Sequence, residues 1–411
     1  MDGERTAGGL RPGAEHSLLR RNWRIDIAAA VVNSLCLGMI VPYIAVMALR
    51  FGGGAWHTAA IASAAAAANL LAIFWGRLTA GYGRVRLVFL FHGAARLALL
   101  PMAFVRDPAS LAVLTLLFFA LQGVATPAYI GLMRSIYPEG RRATYMAIVR
   151  VSAGLAMLAG TYVSGTWLAD DFKTAALIGF ALGVAGICLF ALIREPSDRP
   201  ETAVEGRTRW SETFAAVRSD RGFQLLLAGV FIYEFFMLLP ASVYPVYQVD
   251  RMALTNGQIG LLSMATTGAA LLFNPLWGRV IDKRTAIPVL SWCAVSGTLL
   301  PLAYWLLPGF VPAAAGAFAA GIASSGMDLA WMNHLSRSSG RYLSSFSGIY
   351  LSLVGFRGIA APLCGAAMAE WTGLPAVFAL SFFAGWAALV PFLLLLPASR
   401  SRDGAARHER S

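Results

Sequence analysis

Charge is what this sequence has least of. Asp, Glu, Lys and Arg together make up 13% of its 411 residues, about half the share found in a soluble globular chain. That leaves too little polar surface to cover a water-facing body of this size. Lysine is scarcer still: Lys173 and Lys283 are the only two, and neither follows a glycine. A Gly-Lys-Ser/Thr phosphate loop is therefore absent, and with it an ATP-driven motor within this chain. There is no His-Glu-x-x-His helix and no Gly-x-Ser-x-Gly elbow. The histidines are scattered: His16 and His408 in the tails, His57 in a loop, His92 and His334 near the ends of apolar runs. That spacing argues against a histidine–metal cluster. Cys36, Cys188, Cys293 and Cys364 sit singly in four different apolar runs and read as small packing residues rather than redox or metal groups. No cofactor and no metal are expected.

Apolar sequence is what remains. Hydrophobic residues make up 58% and mean hydropathy is +0.64, so the bilayer must be part of the solvent. Twelve apolar runs fall near 25–49, 56–76, 86–105, 109–133, 143–168, 174–193, 222–248, 257–277, 285–307, 310–334, 342–369 and 374–397. A membrane helix needs roughly 20 apolar residues and a barrel strand only about ten, so these runs predict an all-α integral membrane protein. The first run is too long for the core of a signal peptide and is expected to be retained.

The net charge of +12 could suggest nucleic acid, but its placement explains it otherwise. Arg20, Arg21 and Arg24, then Arg77, Arg84 and Arg86, then Arg134, Arg141 and Arg142 precede or follow spans on one side. The same side holds Arg194 to Arg221, Arg279, Lys283 and Arg284, Arg337 and Arg341, and Arg400 to Arg410. The opposite loops hold Arg50, Arg106, Lys173 and Arg251. Basic residues in every second loop predict an even number of spans with both termini cytoplasmic, in a bacterial inner or plasma membrane. The organisation expected is a cytoplasmic tail over 1–24, six helices over 25–193, a cytoplasmic linker over 194–221, six helices over 222–397 and a tail over 398–411.

The two sets of six repeat. Trp75-Gly76-Arg77 returns as Trp277-Gly278-Arg279, and Gly123-Val124-Ala125 returns as Gly321-Ile322-Ala323, at offsets of 202 and 198 residues. Nearly equal offsets in equivalent spans imply two halves related by an axis normal to the membrane.

On these residues the chain resembles a twelve-span transporter of the major facilitator superfamily. Gly76-Arg77-Leu78-Thr79-Ala80-Gly81-Tyr82-Gly83-Arg84 is similar to the family's loop motif after span two, with Ala80 where the motif has an acid. The second copy, Gly278-Arg279-Val280-Ile281-Asp282-Lys283, keeps the acid but lacks the later Gly-Arg. Gln122-Gly123 resembles the end of the span-four motif, and Ala361-Pro362 with Gly365 a degraded packing motif. The resemblance implies two pseudo-symmetric six-helix bundles, with spans one, four, seven and ten lining a central cavity. Their polar and aromatic stripes supply the cavity candidates: Asn33, Cys36 and Tyr43; Gln122, Thr126 and Tyr129; Glu234, Met237 and Tyr244; Ser324, Asp328 and Trp331. Helix packing explains any one of these residues equally well. The resemblance also implies that Gly76, Arg77, Gly83 and Arg84, with Gly278, Arg279 and Asp282, form gating loops. Asp282 is expected to meet Arg141 and Arg142 at the start of span five.

Ionisable residues inside spans are harder to assign to packing. Glu234 lies twelve residues into span seven, about 18 Å deep, and Asp328 nine residues before Arg337, about 13 Å deep. Arg96 and Arg357 are also well inside. Each costs at least about 2.5–3.5 kcal/mol to insert and must face protein or water. Glu234, with no basic residue elsewhere in its span, is the candidate proton carrier, with Asp328 as a second. Arg96 and Arg357 join the cavity candidates. Arg357 is expected to pair with Asp328 or Glu234, and Asp26 with Arg150 as a structural pair near the cytoplasmic end.

The function expected is secondary active transport by alternating access of a small organic solute between the bundles, with protons as the coupling ion and drug or metabolite export as one direction. The expected partners are the lipid bilayer, the solute and protons, with no nucleic acid, and the expected state is a monomer. Two rivals stand beside it. A multi-span enzyme acting on a lipid or carrier-linked substrate would need clustered His, Asp, Glu or Ser at one interface. A non-transporting solute receptor would need an output domain, for which the tails are short.

Overall fold

The computed structural model describes residues 12–78, 83–138, 141–168, 171–195, 218, 220–283, 286–338 and 343–395. Twelve helices follow in order: α1 (Pro12–Arg50), α2 (Ala55–Leu78), α3 (Arg84–Met102), α4 (Pro108–Ile136), α5 (Arg142–Trp167) and α6 (Phe172–Phe190) form one half. The other half is α7 (Arg221–Arg251), α8 (Asn256–Lys283), α9 (Ala286–Leu306), α10 (Phe310–Ser338), α11 (Leu343–Thr372) and α12 (Leu374–Leu395). Among the described residues eleven helices are long and apolar enough to cross a membrane, and the 24-residue α2 lies between two of them. No strand occurs among the described residues.

Local chemistry starts the helices where apolar sequence begins. Asp107, Asp171 and Asp220 accept hydrogen bonds from the backbone N–H of Ser110 (2.8 Å), Thr174 (3.0 Å) and Phe223 (2.9 Å), capping α4, α6 and α7. Large apolar side chains cover the outside, among them Val113, Leu97, Phe383 and Leu394. Such a surface would aggregate in water but suits lipid. Trp167 and Trp371, exposed at span ends, sit where an aromatic belt meets the headgroups.

α1 begins at Pro12, within the tail expected over 1–24, and its residues before the first apolar run meet the chain after α6. Asn22 is buried, donates to the Arg194 carbonyl (2.8 Å) and accepts from the Arg194 N–H (3.1 Å), while the Trp23 and Tyr145 rings meet edge to face. Most of the linker, 196–217, lies outside the described residues.

The sequence repeat has a packing counterpart. A Cβ on Gly123 would meet the Ala68 carbonyl of α2, and one on Gly321 would meet the Thr266 carbonyl of α8. Both repeated glycines therefore allow the same close crossing, α4 on α2 and α10 on α8, and Ala125 and Ala323 behind them are fully buried.

The halves meet along α2 with α11 and α5 with α8, with Gly355 of α11 against Leu70 of α2 past mid-span, and hydrogen bonds join them on the side away from the basic loops. There Thr58 of α2 donates to the Ser242 carbonyl of α7 (2.6 Å), and Trp56 Nε1 donates to Glu370 Oε1 of α11 (2.5 Å). Val46 of α1 is buried among Leu239, Val243 and Leu262. Gly165 of α5 abuts Gly257 of α8, and Gly154 abuts Leu271 near mid-span. Irregular backbone in α7 makes part of this seal: Pro240 starts a 3-10 turn, Leu239–Ser242, and a π turn follows over Tyr247–Arg251. No hydrogen bond, ion pair or ring contact joins the halves at the basic ends among the described residues.

Candidate functional site

The central cavity expected between the halves would lie on the basic side of these contacts. α10 would reach it through one face. Gly321 packs on α8, and Trp331 packs on Phe223 of α7 and Tyr350 of α11. Ser324 and Asp328 lie between those two contact lines, toward the partner half, and both are exposed. The first half answers through α5. Gly154 faces Leu271 of α8, Met157 faces Gly38 of α1, and Arg150 lies between these directions one turn nearer the basic side, exposed.

Deeper in the second half, Arg357 of α11 forms an ion pair with Glu234 of α7. Of the two acids expected as its partner, Glu234 is the one engaged. The guanidinium also lies 5.6 Å from the centre of the Tyr350 ring, within cation–π range, and the Tyr350 and Trp331 ring centres lie 4.4 Å apart with the rings tilted. Asp328 has no ion pair or hydrogen bond with a described residue.

Several cavity candidates are packing residues instead. Arg96 is 2% exposed; its Nε and Nη2 donate to Asn33 Oδ1 at 3.4 and 3.2 Å, and its guanidinium lies 5.1 Å from the centre of the Phe118 ring. Asn33 also abuts Gly186 of α6. Arg96 and Asn33 thus lie inside the first bundle. Tyr43 donates to the Thr161 carbonyl (2.7 Å) and fills the seal against Gly165 and Gly260. Tyr244 belongs to an aromatic cluster with Tyr247, Tyr304 and Phe378, and Met237 faces Gly385 of α12. Trp331 is buried behind the cavity wall. Gln122 and Tyr129 are half-buried, the latter against Phe190. The reason is common to all: a membrane helix between a bundle interior and a cavity has two non-lipid faces, and periodicity does not separate them.

The expected Asp26–Arg150 pair does not form. Asp26, 2% exposed, accepts from Tyr137 Oη at 2.6 Å, a neutral donor that satisfies the carboxyl without importing a second charge. Tyr137 in turn stacks on Tyr145. Arg150 is exposed and has no ion pair or hydrogen bond with a described residue.

The residues expected in the gating loops are partly engaged within their own half. Arg84 Nη1 pairs with Glu195 Oε1 at 2.8 Å, tying the start of α3 to the end of α6 beside Gly83. Arg142 donates to the Arg134 carbonyl (3.0 Å) at the end of α4, where a cation meets the negative end of the helix dipole. Arg141 and Arg279 are exposed and Gly278 has open space beside it. The side chains of Arg77 and Asp282, and the surroundings of Gly76, lie outside the described residues, as does the meeting expected for Asp282 with Arg141 and Arg142.

The family model of the Major Facilitator Superfamily matches residues 27–257 and 243–411. Two solved structures of the nucleoside transporter NupG are similar over nearly their whole length. The D323A mutant has a TM-score of 0.75 at 12% identity, covering 91% of this chain and 99% of that one. The other has a TM-score of 0.68 at 12% identity, covering 92% and 98%. A bacterial homologue of the human lysosomal transporter Spinster, in an inward-facing and unoccupied conformation, is similar with a TM-score of 0.60 at 14% identity, covering 95% and 96%. Comparison with curated proteins finds no match. At these identities the likeness is one of fold.

Proposed function

The chain belongs to the Major Facilitator Superfamily, and on that premise we propose that it carries a small organic solute across the membrane by proton-coupled alternating access. The observation that carries this reading is the outer seal between the halves, Thr58 on Ser242 and Trp56 on Glu370. Two pseudo-symmetric halves closed at the outer side form one end state of a rocking pair. By the distribution of arginines, its open side would be the cytoplasmic one. Rocking about α2–α11 and α5–α8 would break the Thr58–Ser242 and Trp56–Glu370 contacts and bring the basic ends together.

The Glu234–Arg357 pair supplies the coupling. While Glu234 is ionised it holds Arg357 and ties α7 to α11. A proton on Glu234 removes the charge that holds the guanidinium and leaves Arg357 free to re-pair. Two arrangements of similar energy are shifted by any ligand that binds them unequally, and the proton is such a ligand. The gradient does the uphill work, consistent with a chain that has no phosphate loop.

The test is transport in proteoliposomes. Glu234→Gln should retain counterflow, which needs solute exchange alone, and lose accumulation driven by a pH gradient. Undiminished accumulation by that variant would refute the coupling role, and absence of counterflow by the wild type with every solute tried would refute transport.

A further inference from the structure

Six acid and arginine side chains that the sequence places deep within spans are sorted by the fold. Asp26 is satisfied by Tyr137. Arg96 is enclosed with Asn33 inside the first bundle. Glu234 and Arg357 hold each other. Asp328 and Arg150 remain. Both are exposed, neither has an ion pair or hydrogen bond with a described residue, and they stand on opposite halves facing the cavity.

Their depths match. Arg150 is eight residues after Arg142, the first residue of α5, and Asp328 is ten residues before Ser338, the last of α10. At 1.5 Å per residue these are about 12 and 15 Å from the basic ends. Counted from those ends, one half presents an unpaired carboxyl and the other an unpaired guanidinium at similar depth, where the expected cavity would close as the halves rock.

We propose that Asp328 and Arg150 are the two ends of a recognition site for a zwitterionic organic solute, its ammonium on Asp328 and its carboxylate, or another anionic group, on Arg150. This rests on the reading of the chain as a transporter. A solute bearing one charge would satisfy one wall and leave the other charge stranded as water leaves, which is strongly unfavourable in a closed site. A zwitterion matches both and adds no net charge. The anionic end gains the planar donor fork that only arginine offers.

The experiment uses the purified full-length chain in detergent and three matched series: amino acids and dipeptides as zwitterions, their C-terminal amides as cations, and their N-acetyl derivatives as anions. Thermal stabilisation and calorimetric Kd are read for each. Zwitterions should bind wild type about tenfold or more tighter than either partner series, the worth of one charge-assisted hydrogen bond. Asp328→Asn should weaken zwitterions and amides, and Arg150→Gln should weaken zwitterions and N-acetyl compounds. The ranking on wild type decides even if a variant fails to fold. Binding confined to one singly charged series, binding by none of the three, or affinities unchanged in both variants would overturn the site. Counterflow of the best-binding solute separates the two readings. Binding without counterflow would refute transport and leave the site standing, whereas counterflow confined to a singly charged solute would refute the site and leave transport.

Discussion

Arg357 of α11 and Glu234 of α7 form an ion pair whose side chains are 8% and 13% exposed. Removing one partner of such a pair strands the other charge, at a cost of about 3–5 kcal/mol. Arg357→Met should therefore lower the melting temperature in detergent by several degrees, and adding Glu234→Gln should restore part of the loss. Adding Asp328→Asn instead should leave the loss unrestored, because Asp328 does not touch Arg357. Equal recovery with both acids would contradict the pairing.

The outer seal should be tunable. Thr58→Val deletes the hydroxyl that reaches the Ser242 carbonyl, and Glu370→Gln weakens the bond from Trp56. Each loss is worth about 1 kcal/mol, or roughly fivefold in the balance between open and closed. Cysteines placed on the outer side of the cavity should label faster in both variants, and faster still in the double variant. Unchanged labelling would mean that these contacts do not hold the seal.

Close helix crossings should be intolerant of one methyl group. A Cβ on Gly160 would overlap the Leu35 carbonyl of α1, and one on Gly321 the Thr266 carbonyl of α8. Gly160→Ala and Gly321→Ala should each destabilise by about 1–3 kcal/mol, read as earlier thermal aggregation. Gly278→Ala, with open space around it, should melt as wild type.

Outside the membrane, the Ser110 N–H and hydroxyl hold the Asp107 carboxyl below its usual range. A depressed folded-state pKa stabilises above the unfolded value, about 3.9, and the benefit is lost as pH falls through the lower folded value. Asp107→Asn should therefore be less stable than wild type near neutral pH, with the difference shrinking on acidification below about pH 4. A difference independent of pH would assign the effect to shape rather than charge.

Helix number, the halved repeat and the apolar exterior were legible because the bilayer permits one solution to a run of 20 or more apolar residues. Gly123 and Gly321 could be matched by offset alone, and they do mark equivalent crossings. The cavity was less legible. Asn33, Tyr43 and Tyr244 share helical stripes with Ser324 and Asp328, yet they face bundle interiors or the seal. Hydropathy separates lipid from protein but does not separate protein from cavity. Charge partners were hidden for a related reason. Asp26 is satisfied by Tyr137, a residue 111 positions away with no charge to advertise it, and Arg150 was released by that choice.

The most direct measurement of the central claim is the distance between the halves on each side as Glu234 is titrated. Spin labels at Arg134→Cys with Arg279→Cys report the basic side, and at Arg106→Cys with Leu307→Cys the outer side, in a background without the four native cysteines. On acidification the basic-side distances should shorten while the outer-side distances lengthen, and Glu234→Gln should hold one distribution at every pH. Distances that do not move in opposite directions, or a Glu234→Gln protein that still responds to pH as wild type does, would contradict proton-coupled alternating access.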